Sequence, residues 1–402
     1  MKIFRLLVLL TLPLHCAAAS PAAPLQPLID ATPAGGRLAL APGDYTGPVT
    51  IGRPMTLDGG GQARLVGPGR GTVLSVTTSG ATVRGLHIAG SGETHDGIDA
   101  GILVAGDDNR IEDNELSDVL FGIHIRGGNR NLIRANRVTG KDLPQAARGD
   151  AIRMWHGRRN RIEDNRFVRA RDLTFTNSPD NRIAGNRFTD GRYGMHIIFS
   201  PGLTVENNHL EHTGTGIVIL YSPDLTVRGN RIAHALTAGG AGIVFKESGD
   251  ARVENNEVVH CSVGLKIDAP PESVGILQAR GNRFAHNIIG AFFYGEAGGH
   301  RFNGNRFENN LTQIGISGLG AGSANTWQGN YWSHYQGFDR DGDGLGDSPH
   351  EDWLYADRIW METPKAAFFR ESPVLELLDF LERLAPFSTP YLILRDSAPQ
   401  IR

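Results

Sequence analysis

A short pattern recurs along most of this 402-residue chain: an apolar residue, two residues, asparagine, one residue, then an apolar residue. It reads Ile111-Glu-Asp-Asn114-Glu-Leu116 and Ile133-Arg-Ala-Asn136-Arg-Val138. It returns as Ile162-Glu-Asp-Asn165-Arg-Phe167 and Ile183-Ala-Gly-Asn186-Arg-Phe188. Further copies centre on Asn208, Asn230, Asn256, Asn282, Asn305 and Asn330, and Leu86 holds the same place in an earlier copy. Successive centres lie 21 to 29 residues apart. That period suits one coil of a parallel β-helix, in which no coil can bury its apolar face without neighbours above and below. The expected fold is all-β: a single-stranded right-handed parallel β-helix of roughly twelve coils with a C-terminal helical tail.

The asparagine has two physical reasons to recur. Turns between short strands often need a left-handed backbone, which Asn tolerates. Stacked amides also hydrogen-bond from one coil to the next. Leucine-rich repeats share the period but need a leucine consensus that is absent. At about 4.8 Å per coil the rod is about 55–60 Å long, and its open ends need covering. Leu25 to Ala31 reads as a short capping helix, and Gly36 to Tyr45 as the first strand and its turn.

A second strand precedes each asparagine motif, as in Gly122-Ile-His-Ile-Arg126, Gly194-Met-His-Ile-Ile198 and Gly216-Ile-Val-Ile-Leu220. Strand side chains alternate between faces. The second and fourth places are apolar throughout and point inward, which puts Met154 and Met195 in the core. The outward columns carry Ile198, Val218, Leu220 and Val244 on a face that should be wet, with Trp155 nearby and Phe199 and Tyr221 directly after. A contiguous exposed apolar patch marks a partner surface; the alternative is a loop or the C-terminal segment folded over it.

The N-terminus reads as an export signal over residues 1–19. Lys2 and Arg5 precede the apolar run Leu6 to Leu14, and Ala17-Ala18-Ala19 offers a cleavage site. The run is too short to span a bilayer, and His15 is a poor fit for lipoprotein processing at Cys16. The formal charge of −3 becomes −5 once Lys2 and Arg5 are removed. No basic block stands out, which argues against nucleic-acid binding. The mature chain keeps one cysteine, Cys261, so no intramolecular disulfide can form. Its reading is a small buried residue, with a soft-metal site beside His260 as the alternative.

For chemistry, His124, His156 and His196 lie on or just after the outward strand and are the copper candidates, since imidazole suits copper and zinc. His95 with Asp96 and Asp99 is a weaker loop cluster. Gly59-Gly60-Gly61 leads into no helix and is a turn. Many parallel β-helices act on polysaccharides, and glycoside hydrolysis needs two carboxylates flanking a cleft. The outward columns hold no facing pair. Asp150, Arg171, Arg192 and Tyr193 near one corner are the catalytic candidates, with a salt-bridge ladder as the alternative.

The β-helix is expected over residues 20–335, followed by an acidic loop and a docking or capping tail over 336–402. Asp339, Asp341, Asp343 and Asp347 alternate with glycines like the first part of a calcium loop. His350 stands where the bidentate Glu belongs, so a solvated turn is the alternative. Ser372-Pro373 opens a helix with Val374, Leu377, Leu378, Leu381 and Leu384 on one face. That stripe must cap the rod or dock on another protein.

Gly329 to Asp347, Ala356 to Met361 and Ser372 to Phe387 are long stretches outside the repeat. On them the chain resembles the NosD family, periplasmic β-helix proteins needed for nitrous oxide reductase maturation. The resemblance covers nearly the whole mature chain. It implies a periplasmic scaffold, not an enzyme, beside an ABC transporter. It implies delivery of copper, with sulfur as the alternative species, to nitrous oxide reductase, and receipt of copper from a membrane-anchored chaperone. The apolar face would be a docking surface, and the C-terminal helix would meet the transporter's membrane subunit. The family pattern carries Met at an outward place near Phe199; this chain has Ile198, which removes a Met-based copper site and leaves His156 and His196. The alternative function is a polysaccharide lyase or epimerase.

Overall fold

The computed structural model describes residues 22–268, 275–295, 298–317, 322–354, 372–385 and 390–401. The export signal at 1–19, with Cys16, and the stretch Ala356 to Met361 lie outside them. The repeat winds into a parallel solenoid with three short strands per coil. The first strand carries the apolar residue before the asparagine, as in Leu132–Arg134 paired with Arg161–Glu163. The second follows the asparagine, as in Arg137–Gly140 beside Arg166–Val168. The third is the downstream strand, as in Phe121–Arg126, Ile152–Trp155 and Leu173–Thr176. First strands run from Arg37–Ala39 to Thr326–Gln328 in thirteen rungs, one more than expected.

The asparagines occupy the corner between first and second strands, each at most 2% exposed. Every copy repeats one bonding pattern. The backbone N–H and the side-chain Nδ2 of Asn186 both donate to Oδ1 of Asn208, each at 2.9 Å, and Nδ2 also donates to the Ile162 carbonyl at 2.8 Å. Asn208 repeats this toward Asn230, and the chain continues through Asn256, Asn282 and Asn305 to Asn330. The left-handed corner residue is a correction to the sequence reading. It is not the asparagine but the residue before it: Asp113, Ala135, Asp164, Asn207 and Asn255 have φ between 52° and 55°, and Gly185, Gly229 and Gly281 stand there too. The asparagine is kept for its amide, not for its backbone.

Inward residues of the third strands are fully buried, Met154, Met195, Ile219 and Phe293 among them. Toward the C-terminal end the core turns aromatic. Phe284, Phe307 and Trp332 stack at successive ring distances of 5.3 and 4.6 Å. Cys261 is buried with its thiol pushed up to about 11 by desolvation, so it is a core residue.

Both ends are covered. At the N-terminal end, α1 (Gln26–Ala31) lays Leu25 and Ile29 on the first coil. The Arg53 guanidinium ties down its last carbonyls. At the other end it is a strand, not the helix, that closes the rod. Tyr391–Asp396 pairs antiparallel with His350–Leu354 and meets Thr326–Gln328 at Asp396. The buried Asp396 carboxylate accepts from the Asn330 N–H and Nδ2, both at 2.9 Å, and from the Trp332 indole at 3.2 Å. α2 (Pro373–Leu384) leaves Leu377, Phe380, Leu381 and Leu384 between 42% and 68% exposed. Of the two roles expected of that stripe, capping or docking, capping falls to the strand Tyr391–Asp396, which already fills that end. The side chains of Val374 and Leu378 lie outside the described residues. Among the described residues no helix is long and apolar enough to cross a membrane.

Two predictions test this architecture. Asn208→Ala strands the Asn186 donors and the Ile183 carbonyl, both buried. It should cost about 2–4 kcal/mol, read from urea unfolding; a loss below about 0.5 kcal/mol would mean the amide ladder does not hold the coils. The second concerns His350, which packs 5.0 Å from Trp332. Burial, aided by His334, pushes its pKa down to about 3. A depressed folded pKa means stability is full above the unfolded pKa and declines as pH falls from there toward the folded value. Relative to His350→Phe, the wild type should lose about 2 kcal/mol between pH 7.5 and pH 5. Parallel stability curves for the two proteins would contradict this.

Candidate functional site

The third sheet presents the face singled out by the sequence. His196, Val218 and Val244 lie in one register column, and Ile198, Leu220 and Lys246 in the next. The aliphatic side chains are half-buried among their neighbours. The aromatic ones project. Trp155 is 43%, Phe199 51% and Tyr221 40% exposed. Phe199 and Tyr221 occupy the corner after the third strand with φ of 48° and 50°, and their rings stack at 4.9 Å. Left-handed backbone is costly for such residues, so two exposed aromatics held there in succession are held against local preference.

The three copper candidates are not brought together. His124 and His196 share a column but are separated by Arg153 and Thr174, three rungs or about 14 Å apart. His124 is 5% exposed, and its Nε2 is buried without a hydrogen-bond partner. Desolvation, reinforced by Arg153 and Arg126, pushes its pKa down to about 4. His196 sits against Tyr193 at 5.1 Å and is also lowered, first by burial. His156 is exposed at the corner and stacks on Trp155. A shared site of His124, His156 and His196 is thus corrected: their coils, expected to be neighbours or nearly so, set His124 and His196 too far apart for one ion. The His95 cluster also dissolves, since His95 is bonded to the Ala147 carbonyl and Asp99 to the Thr94 N–H.

Asp150, Arg171, Arg192 and Tyr193 do meet, as a charge ladder. The Asp150 carboxylate is fully buried and bonded by Arg153 and Arg171, each at 3.0 Å. Burial pushes its pKa up, against the pull of Arg171. Asp172, equally buried, takes Arg192 and the Tyr193 N–H. Both carboxylates are saturated by cations.

A further constellation is absent from the sequence reading. His212, His234, His260 and His286 occupy the corner between second and third strands on four consecutive coils, with φ of 53°, 59°, 54° and 54°. Their imidazoles form a continuous stack with ring distances of 4.9, 5.3 and 5.3 Å and interplanar angles of 7°, 3° and 15°. Beneath lies a small apolar cluster of Ala233, Val259 and Ala285. The signal is in the sequence: each histidine stands four places after a ladder asparagine. Ligand atoms of Glu211, His212 and His234 lie within 4.8 Å of one another. Although burial opposes it, the Glu211 carboxyl is held below its ordinary value by His209, His212 and His234.

In the acidic loop, Asp339, Asp341 and Asp343 converge in the same sense, within 4.8 Å. They accept backbone N–H groups of their own loop, Gly342 and Gly344 on Asp339 and Leu345 on Asp343. Asp347 does not join them; it accepts from the Arg340 N–H at 2.8 Å.

The profile of the family described as "Periplasmic copper-binding protein (NosD)" matches residues 135–337. A Pseudomonas aeruginosa protein described as "Probable ABC transporter binding protein NosD" is 31% identical, over 99% of this chain and 95% of its own. A protein of the same description from Stutzerimonas stutzeri is 27% identical, over 90% of this chain and 85% of its own. Among solved structures, DFA-IIIase from Arthrobacter chlorophenolicus A6 overlays with a TM-score of 0.48 at 15% identity, covering 72% of this chain and 92% of that one. The chain belongs to the NosD family of periplasmic copper-binding proteins.

Proposed function

We propose that this protein is a periplasmic scaffold for assembling the copper sites of nitrous oxide reductase. In this reading it receives copper from a membrane-anchored chaperone and works with an ABC transporter whose membrane subunit meets α2. Copper is cargo here, passed on and not retained. Two NosD relatives described as ABC transporter binding proteins support the transporter, and the family description supports copper. The exposed apolar side chains of α2 suit a partner that supplies the missing burial.

The observation that carries the reading is the aromatic pair Phe199 and Tyr221. Two stacked, half-exposed rings on a left-handed corner stabilise nothing in the core. Rigid aromatic side chains next to an aliphatic sheet face are what a protein-binding hot spot requires. We propose no catalytic role, because the candidate carboxylates Asp150 and Asp172 are each committed to arginines. Calcium, in this reading, belongs to Asp339, Asp341 and Asp343 alone and would stiffen their loop.

The double substitution Phe199→Asn/Tyr221→Asn separates docking from folding. Asparagine accepts the left-handed corner, so the thermal midpoint should stay within about 2 °C or rise. Copper content of nitrous oxide reductase purified from cells carrying only this variant should drop several-fold. Full copper loading at normal levels of the variant would remove the face from the mechanism.

A further inference from the structure

Four histidines on one edge of the solenoid have no role in that proposal. Other left-handed corners of the chain mix residue types, Asp113, Ala135, Asp164 and Asn207 along the ladder corner, for example. Here one type recurs on four coils running, and the residue is a metal ligand. The parallel strands hold the rings face to face. His209–Leu220 pairs in register with Arg231–Ala233, which pairs with Glu257–Val259, which pairs with Arg283–Ala285.

One end of the stack is more than a row of rings. Glu211 Oε1 lies 3.7 Å from His212 Nε2 and 3.9 Å from His234 Nε2, while Glu211 Oε2 lies 3.3 Å from His209 Nε2. Arg187 reaches only the other oxygen, Oε2, at 3.9 Å, and the neighbouring Arg231 and Arg283 do not compete for that carboxylate. Both are paired with Glu257, and Arg283 also with Glu308. Two imidazole nitrogens and one carboxylate oxygen, with a side open to solvent, are a donor set for a borderline divalent ion such as zinc or copper(II). A metal–nitrogen bond of about 2.1 Å needs the two Nε2 atoms to approach by a small tilt of rings that are partly exposed, 65% for His212 and 37% for His234.

We propose that Glu211, His212 and His234 form a site for a divalent transition-metal ion, and that His260 and His286 continue it as a row of weaker positions one coil apart. The site stands on this geometry alone. That its natural occupant is the copper cargo rests on the reading given under the proposed function.

The test uses the exported full chain carrying a purification tag free of histidine. Copper(II) and zinc(II) are titrated calorimetrically, and the copper(II) form is read by electron paramagnetic resonance. The wild type should take one tight equivalent, with nitrogen hyperfine structure from imidazole. His212→Asn/His234→Asn keeps the left-handed corners and should weaken that equivalent at least ~100-fold. Glu211→Gln, nearly isosteric, should weaken it ~10-fold or more without changing the thermal midpoint. Unchanged affinity in both variants overturns the site. His286→Asn should remove only a later, weaker equivalent; an unchanged number of equivalents overturns the row. If the double variant loses the tight site while nitrous oxide reductase is still fully loaded with copper, the metal site stands and its use for cargo falls. If it loses the site and loading falls too, both stand.

Discussion

The amide ladder at the corner between first and second strands is the constraint on which the molecule depends. Each asparagine accepts two bonds on Oδ1 from the preceding coil and gives its own two donors to the following coil. A second ladder, Asn109 to Asn131, Asn160 and Asn181, begins at another corner. It gives way to serines Ser178, Ser200, Ser222 and Ser248, which accept backbone N–H groups in the same manner. These bonds are dry and repeat with little variation. A coil inserted out of step would bury unpaired polar groups at both corners. The ladder therefore fixes register as well as stability.

The ladder has a direction, and the direction explains the C-terminus. Donors point toward the C-terminal end, so the last asparagine needs an acceptor that brings no donor of its own. Asp396 supplies one: a carboxylate takes the Asn330 N–H, the Asn330 Nδ2, the Trp332 indole and the Gly329 N–H. An asparagine in that place would carry an amide NH2 with no further coil to receive it. The chain thus returns after α2 to end its own hydrogen-bond series.

The fold was legible because two periods coincide in the sequence. One is the coil-long spacing of asparagines, and the other is the alternation within strands that placed Met154 and Met195 inward. The grouping of the copper histidines failed on distance. The strand alignment already sets Arg153 and Thr174 between His124 and His196, and two intervening rungs are too many for one ion. The assignment of left-handed backbone to the asparagine failed for a different reason. Both a corner amide and a left-handed turn predict Asn, and only the φ values separate Asn114 from Asp113. Asp150 and Arg171 were correctly placed side by side, but burial, which decides between a catalytic base and an ion pair, leaves no local sequence mark. The imidazole stack was missed although its offset from the ladder is constant, because each histidine taken singly looks like a surface residue.

The imidazole corner and the aromatic corner are mechanically one object. The strand His209–Leu220 carries two members of the proposed ligand set, Glu211 and His212, near its start and runs without interruption to the foot of Tyr221. Its neighbour Arg187–Ile198 ends in the same way at Phe199. Residues between the two corners, Ile217 and Ile219, are fully buried, while Val218 and Leu220 face outward. A partner seated on Phe199 and Tyr221 would therefore meet a surface whose distance from His212 and His234 is set by a single strand. That strand cannot slide, since its own coil is pinned by Asn208 at one corner and Ser222 at another. A solenoid suits such a task better than a globular domain does. Its stiffness comes from bonds that run along the rod, which leaves the outward side chains of every coil free to be chosen for contact and ligation.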